Sequence, residues 1–138
     1  MKYIFAFLFL SVFTFTAQAQ LKKTVHQTID IGEVQNINLD IYGEYEIEIW
    51  PGNTIMSETK IELYDASPHI LKFFLEEQER YKILADPNGE NLSVYSNDKE
   101  RRAISYKGVE CAEIIKLKLY VPEEFEVVNP KTLRKKAE

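Results

Sequence analysis

Residues 36–53 read NINLDIYGEYEIEIWPGN, and apolar and polar residues alternate through most of them. A period of two is typical of β-strands that bury one face. Tyr42-Gly43 separates two alternating runs, and Pro51-Gly52-Asn53 ends the second, because proline presets the backbone for a turn and glycine accepts the positive φ that follows. The alternating apolar residues are Ile37, Leu39, Ile41, Tyr45, Ile47 and Ile49. The segment therefore predicts two strands joined by a short turn.

The same alternation predicts further strands on both sides of this segment. It recurs at residues 25–31, 54–63 and 115–121, and in shorter form at 92–95 and 103–106. We therefore predict a mainly β fold, either an antiparallel β-sandwich or a short β-solenoid-like domain.

One segment breaks the alternation. Ile70, Leu71, Phe74 and Leu75 have helical spacing. They follow Ser67-Pro68, a pair typical of a helix start. The pattern predicts one short amphipathic helix at about 68–80, laid against the sheet.

The first 19 residues have the three-part layout of a secretory signal peptide. Lys2 supplies the positive charge, an apolar run follows to Phe15, and Ala17-Gln18-Ala19 provides the cleavage pattern. The apolar run is shorter than the roughly 20 residues that span a bilayer as a helix. We expect an extracytoplasmic protein of the periplasm, the cell surface or the medium, starting at Gln20 and not stably inserted in a membrane.

The remainder is expected to form a single β-rich domain over residues 20–130, because no long linker divides it. Residues 131–138 contain four basic residues and one acidic residue, and they are predicted to form a solvated basic tail. The chain has a formal net charge of −5. Nucleic acid is therefore not an expected partner.

The sequence predicts no catalytic, cofactor-binding or metal-binding site. Cys111 is the single cysteine, so it has no partner for a disulfide within its own chain. Glu110 and Glu113 flank it, whereas an activated thiol needs a base or a cationic neighbour. We predict that Cys111 is a small buried residue and that the protein is not an enzyme.

Histidines are too few to suggest a metal site, since His26 and His69 are the only two. Ser67 and Asp65 lie close to His69 in sequence, which leaves open a serine-histidine-aspartate arrangement. Such triads generally use separate positions in the fold. Asp65 and Ser67 are therefore interpreted as turn and cap residues.

Charged and aromatic residues indicate possible binding surfaces. Glu44, Glu46 and Glu48 project from one face of one predicted strand. They are interpreted as a solvated face opposed by Lys116 and Lys118 rather than as a calcium site, and the charges would discourage edge-to-edge aggregation. Two aromatic residues, Trp50 and Tyr42, are the candidates for ligand binding, and Trp50 is expected to be the more exposed.

The order of elements resembles a known family, the extracytoplasmic adhesin-type domains of the Bacteroidetes, also called head GIN domains. The resemblance covers about Ile29 to Val121 and lies in the segments VQNINL (34–39), YEIEIWPGN (45–53), ET (58–59), ILKFF (70–74), GENLSV (89–94) and LYVP (119–122). It implies a β-rich domain outside the cytoplasm, in which a sheet continues into a right-handed β-solenoid, without assigned catalytic residues. Family members usually continue through further polar strands, so both the sandwich and a shortened solenoid stay open.

Three functions follow as hypotheses. The first is a non-enzymatic, adhesin-like envelope or cell-surface protein that binds an unknown protein or glycan, with an exposed strand edge as a possible homodimer contact. The second is a small periplasmic ligand- or glycan-binding protein, which predicts saturable quenching of Trp50 fluorescence. The third is an enzyme that uses Cys111 or His69.

Overall fold

The computed structural model describes residues 20–137, in which two β-sheets pack face to face and a short helical segment and a β-hairpin cover one end. The prediction of a mainly β, sandwich-like fold with one short helix is confirmed. The strands are β1 Gln20–Ile29, β2 Asn36–Asp40, β3 Tyr45–Trp50, β4 Ile55–Tyr64, β5 Ile83–Asn88, β6 Asn91–Ser96, β7 Ile104–Tyr106, β8 Val109–Cys111, β9 Glu113–Pro122, β10 Phe125–Asn129 and β11 Thr132–Lys135.

The first sheet has the strand order β1-β4-β9-β3. β1 and β4 are antiparallel over ten residue pairs, from Gln20 opposite Tyr64 to Ile29 opposite Ile55. β4 is antiparallel to β9, and β3 is parallel to β9. The two edge strands, β1 and β3, therefore run in the same direction.

The second sheet has the order β10-β11-β2-β6-β5 and contains one parallel pair, β2 with β6. The Gln27 side chain of β1 accepts the N–H of Ile83 at 2.9 Å and donates to its carbonyl at 3.2 Å, which places β1 next to β5. On the other side, the Tyr45 hydroxyl of β3 donates to the Pro130 carbonyl between β10 and β11 at 2.6 Å. β3 and β10 are therefore the edges on the same side of the sandwich.

Alternation places one face of each sheet in a common core. Because strand side chains point to opposite faces in turn, the alternating residues of β2, β6, β9 and β11 meet there. This main core consists of Ile29, Ile31, Val34, Ile37, Leu39, Ile55, Ile83, Leu92, Val94, Leu117, Leu119, Val121, Phe125 and Leu133.

A second core lies where β4 extends past the main core. It is covered by α1, Pro68–Lys72, by the π-helical turn Phe73–Glu77 that continues it, and by the β7–β8 hairpin. Its buried members are Ile61, Leu63, Ala66, Leu71, Tyr81, Ile104 and Cys111. The helical segment ends at Glu77, three residues before the predicted end.

The prediction of a solvated basic tail at 131–138 is wrong for residues 132–135, which form a strand. Thr132–Lys135 forms β11, which pairs with both β2 and β10, and Leu133 is fully buried opposite Ile37. The next residue, Arg134, is exposed on the opposite face, because side chains of a strand alternate between its faces. The chain therefore continues as ordered sheet beyond residue 130.

The predicted signal peptide, residues 1–19, lies outside the described residues. Within residues 20–137, no helix has the length and apolar character needed to cross a bilayer.

Candidate functional site at the free edge of strand β3

Strand β3 has no partner strand on one of its two sides in the described part of the chain. Its other side pairs with β9 through six residues, from Tyr45 opposite Leu117 to Trp50 opposite Pro122. A turn precedes the strand, where Gly43 adopts a φ of 82°, a value that glycine tolerates without steric cost. The outward backbone groups of β3 are thus available to an added strand.

The inner face of β3 leaves apolar surface exposed. Ile49 pairs with the fully buried Val121 and shares its face, yet 46% of Ile49 is exposed. Val127 alternates with the buried Phe125 on β10, the facing edge of the other sheet, and is 48% exposed. This side of the sandwich can therefore accept an apolar side chain from outside.

The outer face of β3 is acidic. Glu48 forms an ion pair with Lys118 of β9 at 3.4 Å, and the hydrogen bond from Lys118 to Glu48 raises the pKa of the lysine. Glu44 and Glu46 have no ion pair within 4.0 Å among residues 20–137. No group of three or more His, Cys, Asp or Glu side chains in that range is arranged to hold a metal ion. Glu44, Glu46 and Glu48, here called the acidic row, therefore form an acidic surface that Lys118 partly neutralises.

A shallow groove of about 410 Å³ crosses the outer face of the first sheet beside β3. Lys116 lies opposite Lys60 of β4, so two like charges face each other here. Of the two lysines predicted to oppose the acidic row, Lys118 forms an ion pair with it and Lys116 does not. The groove is lined by Glu44, Tyr45, Glu46, Glu58, Lys60, Ile115, Lys116, Leu117 and Lys118.

Trp50 is half-buried and shapes the turn that follows β3. Its indole N–H donates to the Thr54 carbonyl at 2.9 Å, and its ring meets the edge of Tyr120 at 6.3 Å between centroids. A Cβ on Gly52 would lie 2.3 Å from the indole ring, so this position requires glycine. Trp50 is therefore less exposed than predicted, and its polar group is already bonded.

Tyr42 lies at the opposite end of β3 from Trp50, and 44% of it is exposed. The Arg101 guanidinium packs between two tyrosine rings, 5.1 Å from the centroid of Tyr42 and 5.4 Å from that of Tyr81. Arg101 has no ion pair within 4.0 Å in the described chain, and burial lowers its pKa. The two ligand-binding candidates, Tyr42 and Trp50, thus do not share one site.

The structure reveals a buried ionic cluster that the sequence did not predict. Arg80, whose side chain is 4% exposed, donates to both carboxylate oxygens of Glu113 at 3.0 and 3.1 Å. The Tyr81 hydroxyl also donates to Glu113, and Asp98 lies 3.7 Å from Arg80. Burial, with a smaller contribution from Glu113, raises the pKa of Tyr81. The cluster joins the loop after the helical segment to β9.

Cys111 is buried in the second core, as predicted. Its thiol lies 3.4 Å from the Asp65 carbonyl, to which it donates. Asp65 adopts a φ of 59°, which fits its predicted place in a turn.

The two histidines lie at separate exposed positions. His26 of β1 lies 3.3 Å from Glu58, and its hydrogen bond lowers the pKa of that carboxyl group. Ser67 and His69 Nδ1 are 2.9 Å apart at the start of α1, where Ser67 is the N-cap residue but makes no side-chain bond to the helix backbone. His69 also packs edge-on to Tyr106.

Comparison with protein-family models, with curated proteins and with solved structures gives no match to this chain.

Proposed function

We propose that the protein is a non-enzymatic, adhesin-like interaction protein that works outside the cytoplasm and binds an extended segment of a partner at the free edge of β3. The observation that carries this proposal is the exposed Ile49 on the inner face of a strand whose outer backbone edge pairs with no strand of residues 20–137. Main-chain hydrogen bonds of an added strand supply affinity, and pockets for alternate side chains supply selectivity.

The two faces of β3 define the partner segment. On the outer face, Glu44, Glu46 and Glu48 favour lysine or arginine at alternate positions. On the inner face, the exposed Ile49 of β3 and Val127 of the facing edge strand β10 favour apolar residues at the positions between. The partner strand is therefore expected to alternate basic and apolar residues.

A synthetic peptide of alternating lysine and valine tests this edge. We expect it to change the emission of Trp50, the single tryptophan, in a saturable way, because Trp50 ends β3. Ile49→Lys places a charge on the inner face of the edge and is expected to weaken binding by about tenfold or more. The emission titration measures both affinities.

Val109→Lys is the matched control, since Val109 is a similarly exposed apolar residue on the β7–β8 hairpin. It should bind the peptide as the parent protein does. Equal affinity of the parent and the Ile49→Lys protein would show that β3 is not the binding edge.

The location outside the cytoplasm is supported by the N-terminal sequence pattern, with its apolar run and Ala17-Gln18-Ala19. When the full chain is produced in a bacterial host, the exported protein is expected to begin at Gln20. Mass spectrometry of the periplasmic and culture fractions checks this. An intact Met1 in a protein retained in the cytoplasm would refute the location.

A small ligand- or glycan-binding protein stays the alternative. The exposed ring of Tyr42 beside Arg101 supports it, while Trp50 at the other end of β3 does not add to the same surface.

A further inference from the structure

The two edges of the first sheet carry opposite charge. β1 contains two lysines and no acidic residue, and β3 contains two glutamates and no basic residue. Lys22 and Lys23 are both exposed, and Lys22 and His26 lie 3.8 Å from Glu62 and 3.3 Å from Glu58 of the neighbouring β4. One edge of the sheet is therefore basic and the other is acidic.

This distribution disfavours pairing of like edges. Two copies joined β3 to β3 would bring Glu46 and Glu48 against the same residues of the partner. Two copies joined through their β1 strands would bring Lys22 and Lys23 of one copy against Lys22 and Lys23 of the other. Like charges that face each other across strands are destabilising. Pairing of β1 with β3 of another copy brings opposite charges together instead.

Direction and length agree with this unlike pairing. β1 and β3 run in the same direction within the sheet, so a second copy placed beside the first presents its β3 parallel to β1. Gln27 holds the neighbouring β5 against the end of β1, which leaves Gln20–His26 as the open part. The six residues of β3 fit along it with Glu46 beside Lys22 and Ile49 beside Val25.

A groove lies where the inner face of the added strand would pack. It has a volume of about 390 Å³ and runs beside β1, where Val25, Leu75 and Tyr81 supply its apolar lining. Its polar lining comes from Gln27, Glu76, Glu79 and Lys82. Ile49 is exposed on its own protomer and would enter this groove on the next one. The inner faces thus bring Ile49 and Val25 together next to Lys23, which shares the face of Val25, while the outer faces bring together Glu46 and Lys22.

We infer that the partner of the β3 edge is β1 of a second copy of this chain, which continues the sheet from protomer to protomer. The inference rests on the proposed function and names its partner. Because the two joined surfaces differ, the contact does not close on itself as a two-fold dimer does, and it repeats from copy to copy into an open filament or a ring of more than two copies.

Two single charge changes test the contact in the purified protein produced from the full chain. Glu46→Lys places a lysine beside Lys22 of the next copy, and Lys22→Glu places a glutamate beside Glu46, so each change sets like charges face to face. Each is expected to weaken self-association by about tenfold in sedimentation velocity at low ionic strength, where charge effects are least screened. Glu90→Lys and Lys107→Glu are matched controls in exposed turns, and they should associate as the parent does.

Mixing the two variants gives the decisive result. The unchanged β1 of the E46K protein matches the unchanged β3 of the K22E protein, and the two substituted positions, 46 and 22, again carry opposite charges. An equimolar mixture is therefore expected to recover long assemblies that neither variant forms alone. Circular dichroism of each variant confirms that the fold is kept.

A parent protein that stays monomeric at millimolar concentration overturns the inference, as does a species that stops at two protomers. If the lysine-valine peptide still binds at β3 in that case, only the second copy as partner is wrong. If the peptide also fails to bind, the proposed β3 edge site fails as well.

Discussion

Glu113→Gln is expected to lower the free energy of unfolding by about 3 kcal/mol, since removing one partner of a buried ion pair leaves the other charge uncompensated. Arg80 has a 4% exposed side chain and donates twice to Glu113. Burial alone lowers the pKa of Arg80, and the bonds and charge of Glu113 raise it again to a net increase. Urea unfolding followed by Trp50 emission measures the change.

Two control variants show how much of this loss comes from the buried charge of Arg80. Glu124→Gln makes the same substitution in an exposed ion pair with Lys135, where the cost should stay within about 1 kcal/mol. Tyr81→Phe removes one hydrogen bond to Glu113, and about 1 kcal/mol is expected. If Glu113→Gln costs no more than Glu124→Gln, the cluster does not stabilise the fold.

Local patterns predicted the strands but not their neighbours. Alternation located β2, β3, β4 and β9 because each buries one face. Which strands pair depends on contacts far apart in sequence, and the parallel pairs β2–β6 and β3–β9 follow no local rule. The same limit applies to Arg80 and Glu113, which are separated by 33 residues and meet only in the folded chain.

The candidate site was predictable in part. Glu44, Glu46 and Glu48 indicated a charged strand face, and charges of this kind are common on edge strands. The position of β3 at the edge and the exposure of Ile49 depend on the strand order of the sheet. An isoleucine in an alternating strand is ordinarily expected in the core, so its sequence context did not distinguish it from Ile47.

β10 and β11 were missed because their local signals are weak. β11 has a single apolar residue among basic ones, and that pattern resembles a solvated tail. In β10, Val127 and Val128 are adjacent and break the alternation that begins at Phe125. The pairing register also shifts between Val127 and Asn129. Only the contact with β2 decides that Leu133 is buried.

Leu133→Ala therefore distinguishes an ordered last strand from a solvated tail. Leu133 is fully buried opposite Ile37, and the cavity left by a leucine-to-alanine change is expected to cost about 3 kcal/mol of the free energy of unfolding. A solvated tail predicts no change. Urea unfolding of the two proteins, with equal slopes required for the comparison, measures the difference.

Val128→Ala is the control for this change, because Val128 belongs to the same hairpin and is largely exposed. Its cost should stay below about 0.5 kcal/mol, as for most surface substitutions. If the Leu133→Ala protein is as stable as the Val128→Ala protein, residues 131–138 form a solvated tail and not a strand of the sheet. A large and selective loss at Leu133 would show that the second sheet needs its last strand, and that the side of the sandwich beside β3 is built on it.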